Sequence, residues 1–137
     1  GVVLVVGAGD GAGQAIAKRF ARGGYTACVM RRPKSAVSLD QLVDSITAAG
    51  GRACAYPADA RREDQVVAVM DDIERQIGPI EVCVFNIGAN VRFSTLDTTE
   101  RVYRKVWEMA ALSGFLVGRE SARRMVPRGR GTIIFSG

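Results

Sequence analysis

The sequence has no histidine, and among its 137 residues it carries only 3 cysteines, 4 prolines and 1 tryptophan. Without histidine there is no imidazole for a metal. Cys28, Cys54 and Cys83 are odd in number and form no CxxC pair, so neither a zinc site nor a disulfide framework is expected. Each cysteine lies in a strand-like apolar run, the setting of a small buried thiol in a reducing compartment, and a cytoplasmic location is the expectation. Long apolar runs are also missing. None approaches the ~18 residues of a membrane span, and Gly1–Val6 is too short for a signal peptide and runs into a glycine turn. No membrane partner is expected.

Acidic residues are the minority, 14 against 19 basic, for a net charge of +5. The basic excess is scattered, and aromatics interleave with it only around Tyr103 and Trp107. Nucleic acid asks for a denser patch. An anionic small ligand suits this balance better. With 47% hydrophobic and 24% charged residues, the composition is that of a globular domain able to build a core.

What is present is a regular alternation. Val2–Val6 is a β-branched run that suits a strand covered on both faces. Ala12–Arg22 has helical spacing through Ala12, Ile16, Ala17 and Phe20, and Gly23-Gly24 ends it. Thr26–Met30 reads as a strand and Arg31–Lys34 as a loop. Ser38-Leu39-Asp40-Gln41 has the form of a capping box, which predicts a helix from there to about Ala49 with Leu39, Leu42, Val43 and Ile46 on one face. Arg52–Tyr56 is a weaker strand. Glu63–Ile77 is predicted helical, with Val66, Val67, Met70, Ile73 and Ile77 inward and acids in its first turn. Ile80–Phe85 is a strand, Thr98–Met125 a helical region divided near Leu112–Gly114, and Thr132–Phe135 a fifth strand. Strands alternating with helices require right-handed crossovers and a parallel α/β sheet. The chain starts without Met inside the first strand and stops inside the fifth. The expectation is one incomplete domain, residues 1–137, of a longer polypeptide.

The break after the first strand is the most informative segment: Gly7-Ala8-Gly9-Asp10-Gly11-Ala12-Gly13. A strand–turn–helix with so little side chain lets backbone amides approach a diphosphate, aided by the helix dipole. Two registers fit, Gly7-x-Gly9-x-x-Ala12 and Gly7-x-x-x-Gly11-x-Gly13. The second resembles the Thr-Gly-x-x-x-Gly-x-Gly turn of the short-chain dehydrogenases/reductases, with Val6 in place of Thr.

That resemblance extends over the whole chain and implies a Rossmann-type doubly wound sheet of order 3-2-1-4-5, with NAD or NADP as cofactor. It implies that the end of the second strand meets the adenosine ribose. Arg31 and Arg32 stand there, and no acid follows until Asp40. An acid would repel a 2′-phosphate, whereas arginine bonds it, so NADP is expected over NAD. By the same resemblance Asp59, followed by Ala60, contacts adenine. Asn86-Ile87-Gly88 resembles the family's Asn-Asn-Ala-Gly segment, with Phe85 and Ile87 departing from it. The implied cofactor-binding set is Gly7, Gly9, Asp10, Gly11, Ala12, Gly13, Arg31, Arg32, Asp59, Ala60, Asn86, Ile87 and Gly88.

The catalytic residues stay unknown. Val106–Gly114 resembles a family segment whose Asn joins a proton relay. Ala111 stands at that position, and its side chain can hold neither a water nor a kink. The family's Ser falls just past Gly137 and its Tyr-x-x-x-Lys further on, so Ser136 is not assigned. The implied activity is hydride transfer between the nicotinamide and an alcohol or carbonyl substrate. This chain would supply the cofactor-binding half of the complete protein; by itself it is expected to bind nucleotide weakly or not at all and to reduce nothing. Val91, Arg92 and Phe93 are expected at the edge of the substrate pocket. The 98–125 region, through Val102, Val106, Trp107, Phe115, Leu116 and Met125, is expected to form core and a homodimer or homotetramer contact. Two alternatives remain open at this point. One is a dinucleotide sensor or scaffold on the same fold, which Ala111 and Phe85 favour. The other is an S-adenosylmethionine methyltransferase, against which Val5, Val6 and Arg31 stand where acids are usual.

Overall fold

The computed structural model describes residues 1–89 and 91–136; Asn90 and Gly137 lie outside them. The elements are β1 (Val2–Val6), α1 (Ala12–Arg22), β2 (Thr26–Arg31), a 3-10 turn (Pro33–Ser35), α2 (Ala36–Ala48), β3 (Arg52–Pro57), α3 (Glu63–Gln76), β4 (Ile80–Phe85), α4 (Glu100–Trp107), a π-helical turn (Glu108–Leu112), α5 (Ser113–Arg128) and β5 (Thr132–Phe135). The five strands form one sheet of order β3-β2-β1-β4-β5, every pair parallel. This is the doubly wound Rossmann-type arrangement.

β1 is central because nothing in it tolerates water. Val3, Leu4 and Val5 are fully buried, and each such side chain contributes about 1.5–3 kcal/mol. Successive residues point to opposite faces, so β1 feeds two cores. Val2, Leu4 and Val6 join α3 and α5 through Met70, Ile73, Val117 and Met125. Val3 and Val5 join α1 and α2 through Ala17, Leu39, Leu42 and Ile46. β3 reads weakly in sequence because it is an edge strand, only half-buried along its interior positions.

Several expectations are corrected. α2 does not open at a Ser38 capping box. Pro33 starts a 3-10 turn that passes without a break into helix at Ala36, which already has φ −56° and ψ −41°. Ser38 is therefore interior, where no free amide needs its hydroxyl. In α3, Val69 is buried and Val67 only half-buried, because the helix turns its i, i+3, i+4, i+7 positions (Val66, Val69, Met70, Ile73) to the sheet. Ala12 is exposed, and Gly13 takes the inward position. The long helical region begins at Glu100 behind a Thr99 cap, whose side chain accepts from the Val102 amide, and runs on to Arg128. Within it Leu116 and Met125 are core, Val102 and Val106 half-buried, and Trp107 and Phe115 exposed.

α5 is fixed to α3 by cross-helix ion pairs. Arg119 meets Glu63 at 2.6 Å, Arg124 meets Asp71, and Arg128 grips Glu74 through two bonds of 2.6 and 2.7 Å. Glu120, buried on α5, is surrounded by Arg119, Arg123 and Arg124. Burial pushes its carboxyl up, and the arginines more than offset this and hold it below the usual range.

Candidate cofactor site

The site forms where the chain leaves the carboxyl end of β1. The Gly7 and Ala8 amides both donate to the Met30 carbonyl, at 2.9 and 3.3 Å, so the glycine turn lies against the end of β2. Gly7 has φ +87°, and a Cβ there would strike the Asn86 carbonyl. A Cβ on Gly13 would strike the Gly7 carbonyl and the Ala8 backbone. These two glycines serve close packing of strand and helix. Gly9 and Gly11 differ: a Cβ on either would meet open space. The register Gly7-x-x-x-Gly11-x-Gly13 thus describes the packing, because the close-approach residue is Gly13 and Ala12 faces out.

Gly11 caps α1 with no side-chain bond, and no acid lies in the helix's first turn. Among the described residues the amides of Gly11, Ala12 and Gly13 donate to nothing, while Gln14 and Ala15 turn back to Gly9 and Gly11. Uncapped amides beside an open hollow attract an anion. The residues present therefore fit a bound diphosphate.

A cavity of about 310 Å³ opens beside this turn. Its floor is Val6, Gly7, Gly9 and Met30. One wall is Arg31, Arg32, Lys34 and Ser35 from the end of β2, another is Ala58–Arg61 after β3, and the third is Asn86, Ile87 and Gly88 after β4, with Met109 reaching over from the π-helical turn. Of the expected residues, Gly7, Gly9, Arg31, Arg32, Asp59, Ala60, Asn86, Ile87 and Gly88 come together here. Gly11, Ala12 and Gly13 form the helix start alongside. Asp10 stands outside the wall with its side chain 77% exposed and its carboxylate 3.4 Å from the Arg31 guanidinium. Val91, Arg92 and Phe93 are exposed and line no part of this cavity.

Five wall residues were not legible from motif reading: Lys34, Ser35, Ala58, Arg61 and Met109. Lys34 continues the Arg31-Arg32 cluster and could have been added on charge alone. Arg61 could not. Its guanidinium clasps Asp59 through Nε and Nη2, at 3.0 and 2.8 Å, and its amide donates to the same carboxylate at 3.0 Å. The hydrogen bond from Arg61 holds the Asp59 carboxyl below its ordinary range, with Arg32 contributing at longer reach. The Asp59 amide in turn donates to Gln65 at 2.8 Å, so the loop is braced on both sides.

Asn86 joins three strands at this end of the sheet. Its amide donates to the Val6 carbonyl at 2.8 Å. Its side-chain Nδ2 donates to the Gly7 carbonyl at 3.1 Å, and its Oδ1 accepts from the Ser136 hydroxyl at 2.6 Å.

Ala111 lies, exposed, in the π-helical turn. The irregularity here does not come from the alanine side chain: the buried Ser113 hydroxyl donates to the Met109 carbonyl one turn back, a bond that competes with the helical ladder at the wide turn. Among the described residues no group of three or more acids or cysteines is placed to hold a metal, and no helix is long and apolar enough to cross a membrane.

A central β1 between parallel neighbours, an uncapped first helix and a cavity at the carboxyl ends of the strands define a Rossmann-type dinucleotide-binding domain. The chain belongs to the short chain dehydrogenase family, whose model matches residues 1–137; members of this family of oxidoreductases bind NAD or NADP. It is 34% identical over 131 residues to gluconate 5-dehydrogenase of Gluconobacter oxydans, covering 96% of this chain and 50% of that protein. A solved short-chain dehydrogenase from Rhodopseudomonas palustris superposes with a TM-score of 0.93 at 51% identity, over 99% of this chain and 63% of the other. A variant of actinorhodin polyketide ketoreductase solved with NADPH gives 0.91 at 26% identity, over 98% and 51%. The chain spans about half the length of the curated relatives it matches.

Proposed function

We propose that this chain is the cofactor-binding half of an NADP-preferring oxidoreductase that transfers hydride between the nicotinamide and an alcohol or carbonyl substrate. The observation that carries this reading is the cavity wall at the end of β2, where Arg31, Arg32 and Lys34 stand together and the segment itself contributes no acid, the exposed Asp10 of the glycine turn being the one carboxylate that reaches Arg31 among the described residues. Next to it, open glycines and uncapped amides suit the diphosphate. Asp59 and Ala60 line the same hollow, on the side this reading gives to adenine, and Asn86, Ile87 and Gly88 close it from β4. The bound cofactor would carry the hydride, giving it to a carbonyl or taking it from an alcohol. The chain's own residues bind and orient it.

A charge-assisted bond from an arginine to a 2′-phosphate contributes about 1.5–3 kcal/mol, which corresponds to roughly tenfold or more in affinity. Replacing Arg31 and Arg32 by Asp and Ala and titrating both reduced cofactors tests the assignment. NADPH affinity is expected to fall at least tenfold relative to NADH, and an unchanged NADPH affinity removes it. The free cysteines fit a reducing, cytoplasmic compartment. The exposed Tyr103, Trp107 and Phe115 of α4 and α5 fit a contact between subunits. A sensor role on this fold rests on Ala111 and Phe85, and carbonyl reduction by the full-length protein would dispose of it.

A further inference from the structure

The glycine turn carries one residue that an anion cradle has no evident use for. Asp10, between the open Gly9 and Gly11, puts a carboxylate at the mouth of a site suited to a diphosphate. Its partner is Arg31, with Nη1 3.4 Å from Oδ1. The backbone dictates that meeting. The Gly7 and Ala8 amides lock the turn onto Met30, and the Arg31 carbonyl accepts from Ala58 at 2.8 Å, so both ends of the pair hang from fixed main chain. The bond itself is long, and Asp10 is 77% exposed against 25% for Arg31. Among the described residues neither Arg32 nor Lys34 pairs with a carboxylate.

We infer that Asp10 is a specificity-determining residue: it holds the Arg31 guanidinium at the glycine turn and competes with a ribose 2′-phosphate for it. This rests on the NADP reading above. Arg32 and Lys34 then supply the uncontested charge for the phosphate, and Arg31 is recruited only as Asp10 lets go. An exposed ion pair contributes up to about 1 kcal/mol, so the competition tempers NADP preference without abolishing it. Asp10 also repels the diphosphate, but that part is common to both cofactors and cancels in the ratio of their affinities.

The test measures NADPH and NADH dissociation constants, by nicotinamide fluorescence at low salt, for the full-length protein and its Asp10→Asn, Arg31→Ala and doubly substituted forms. Asp10→Asn is expected to raise the NADPH-over-NADH ratio by roughly two- to fivefold, and this gain is expected to vanish in the Arg31→Ala background. An equal rise for both cofactors would show general repulsion and overturn the inference, as would a gain that survives loss of Arg31. The two levels of the argument separate cleanly. If Arg31→Ala weakens NADPH binding while Asp10→Asn leaves the ratio unmoved, only the role of Asp10 fails. If the unsubstituted protein shows no preference for NADPH, the cofactor reading fails and takes this inference with it.

Discussion

The side chain of Asn86 donates to the carbonyl of Gly7 across 3.1 Å, joining two turns that are 79 residues apart in sequence. The same carboxamide accepts from Ser136, so one side chain ties the exits of β1 and β4 to the end of β5. Replacing Asn86 by Ala removes both bonds, leaving the Gly7 carbonyl with the Gly9 amide and the exposed Ser136 hydroxyl with the Phe85 carbonyl as their remaining partners. The expected cost is about 1 kcal/mol, read as a lower thermal midpoint. A weaker cofactor affinity is expected with it, since the Gly7 turn loses its brace.

The four glycines of the turn divide into two experimental classes. Alanine at Gly7 or Gly13 drives a Cβ into backbone, and at Gly7 it also meets φ +87°. Each is expected to cost about 2–5 kcal/mol of folding stability. Alanine at Gly9 or Gly11 meets nothing, so the thermal midpoint is expected to stay near its starting value while nucleotide affinity falls. Denaturation and cofactor titration on the same four variants check this. Equal loss of stability at all four positions would contradict the division.

Acid sensitivity is expected from Glu74. The Arg128 guanidinium bonds both oxygens, and the Ile80 amide donates to one of them, which together hold the carboxyl below its ordinary value of 4.5 despite partial burial. A carboxyl depressed in the folded state stabilises the fold above its unfolded pKa and loses that contribution as pH falls through the folded one. Stability is therefore expected to drop below about pH 4. Glu74→Gln is expected to be less stable at neutral pH by about 1–3 kcal/mol and to show a flatter acid limb, measured by denaturant unfolding across the pH range.

The π-helical turn is expected to depend on Ser113. Its hydroxyl, fully buried, has the Met109 carbonyl as its partner. Ser113→Ala is expected to cost about 1 kcal/mol and to change amide exchange within residues 108–112, while Ala111→Ser, on an exposed position, leaves both unchanged.

The order of elements, the parallel sheet and the place of the glycine turn were all legible in the sequence, because each depends on local pattern. Unbroken β-branched runs suit strands buried on both faces, helical spacing marks the crossovers, and glycines punctuate them. β4, β5 and α1 were read to their observed ends for that reason. Ser38 misled because a capping motif is a local preference, and Pro33 had already begun the helix upstream. The wide turn at Ala111 was not legible because the alanine side chain carries no signal of it, and the hydroxyl that bonds across the turn belongs to Ser113, two positions on. What only the tertiary structure decided was pairing at a distance. It showed which glycine packs and which faces open space, that Arg61 clasps Asp59, that Asn86 braces Gly7, and that Asp10 stands within reach of Arg31. These are contacts between segments that the chain brings together only when the sheet closes its register. No period or motif in a single sequence encodes the distance between them.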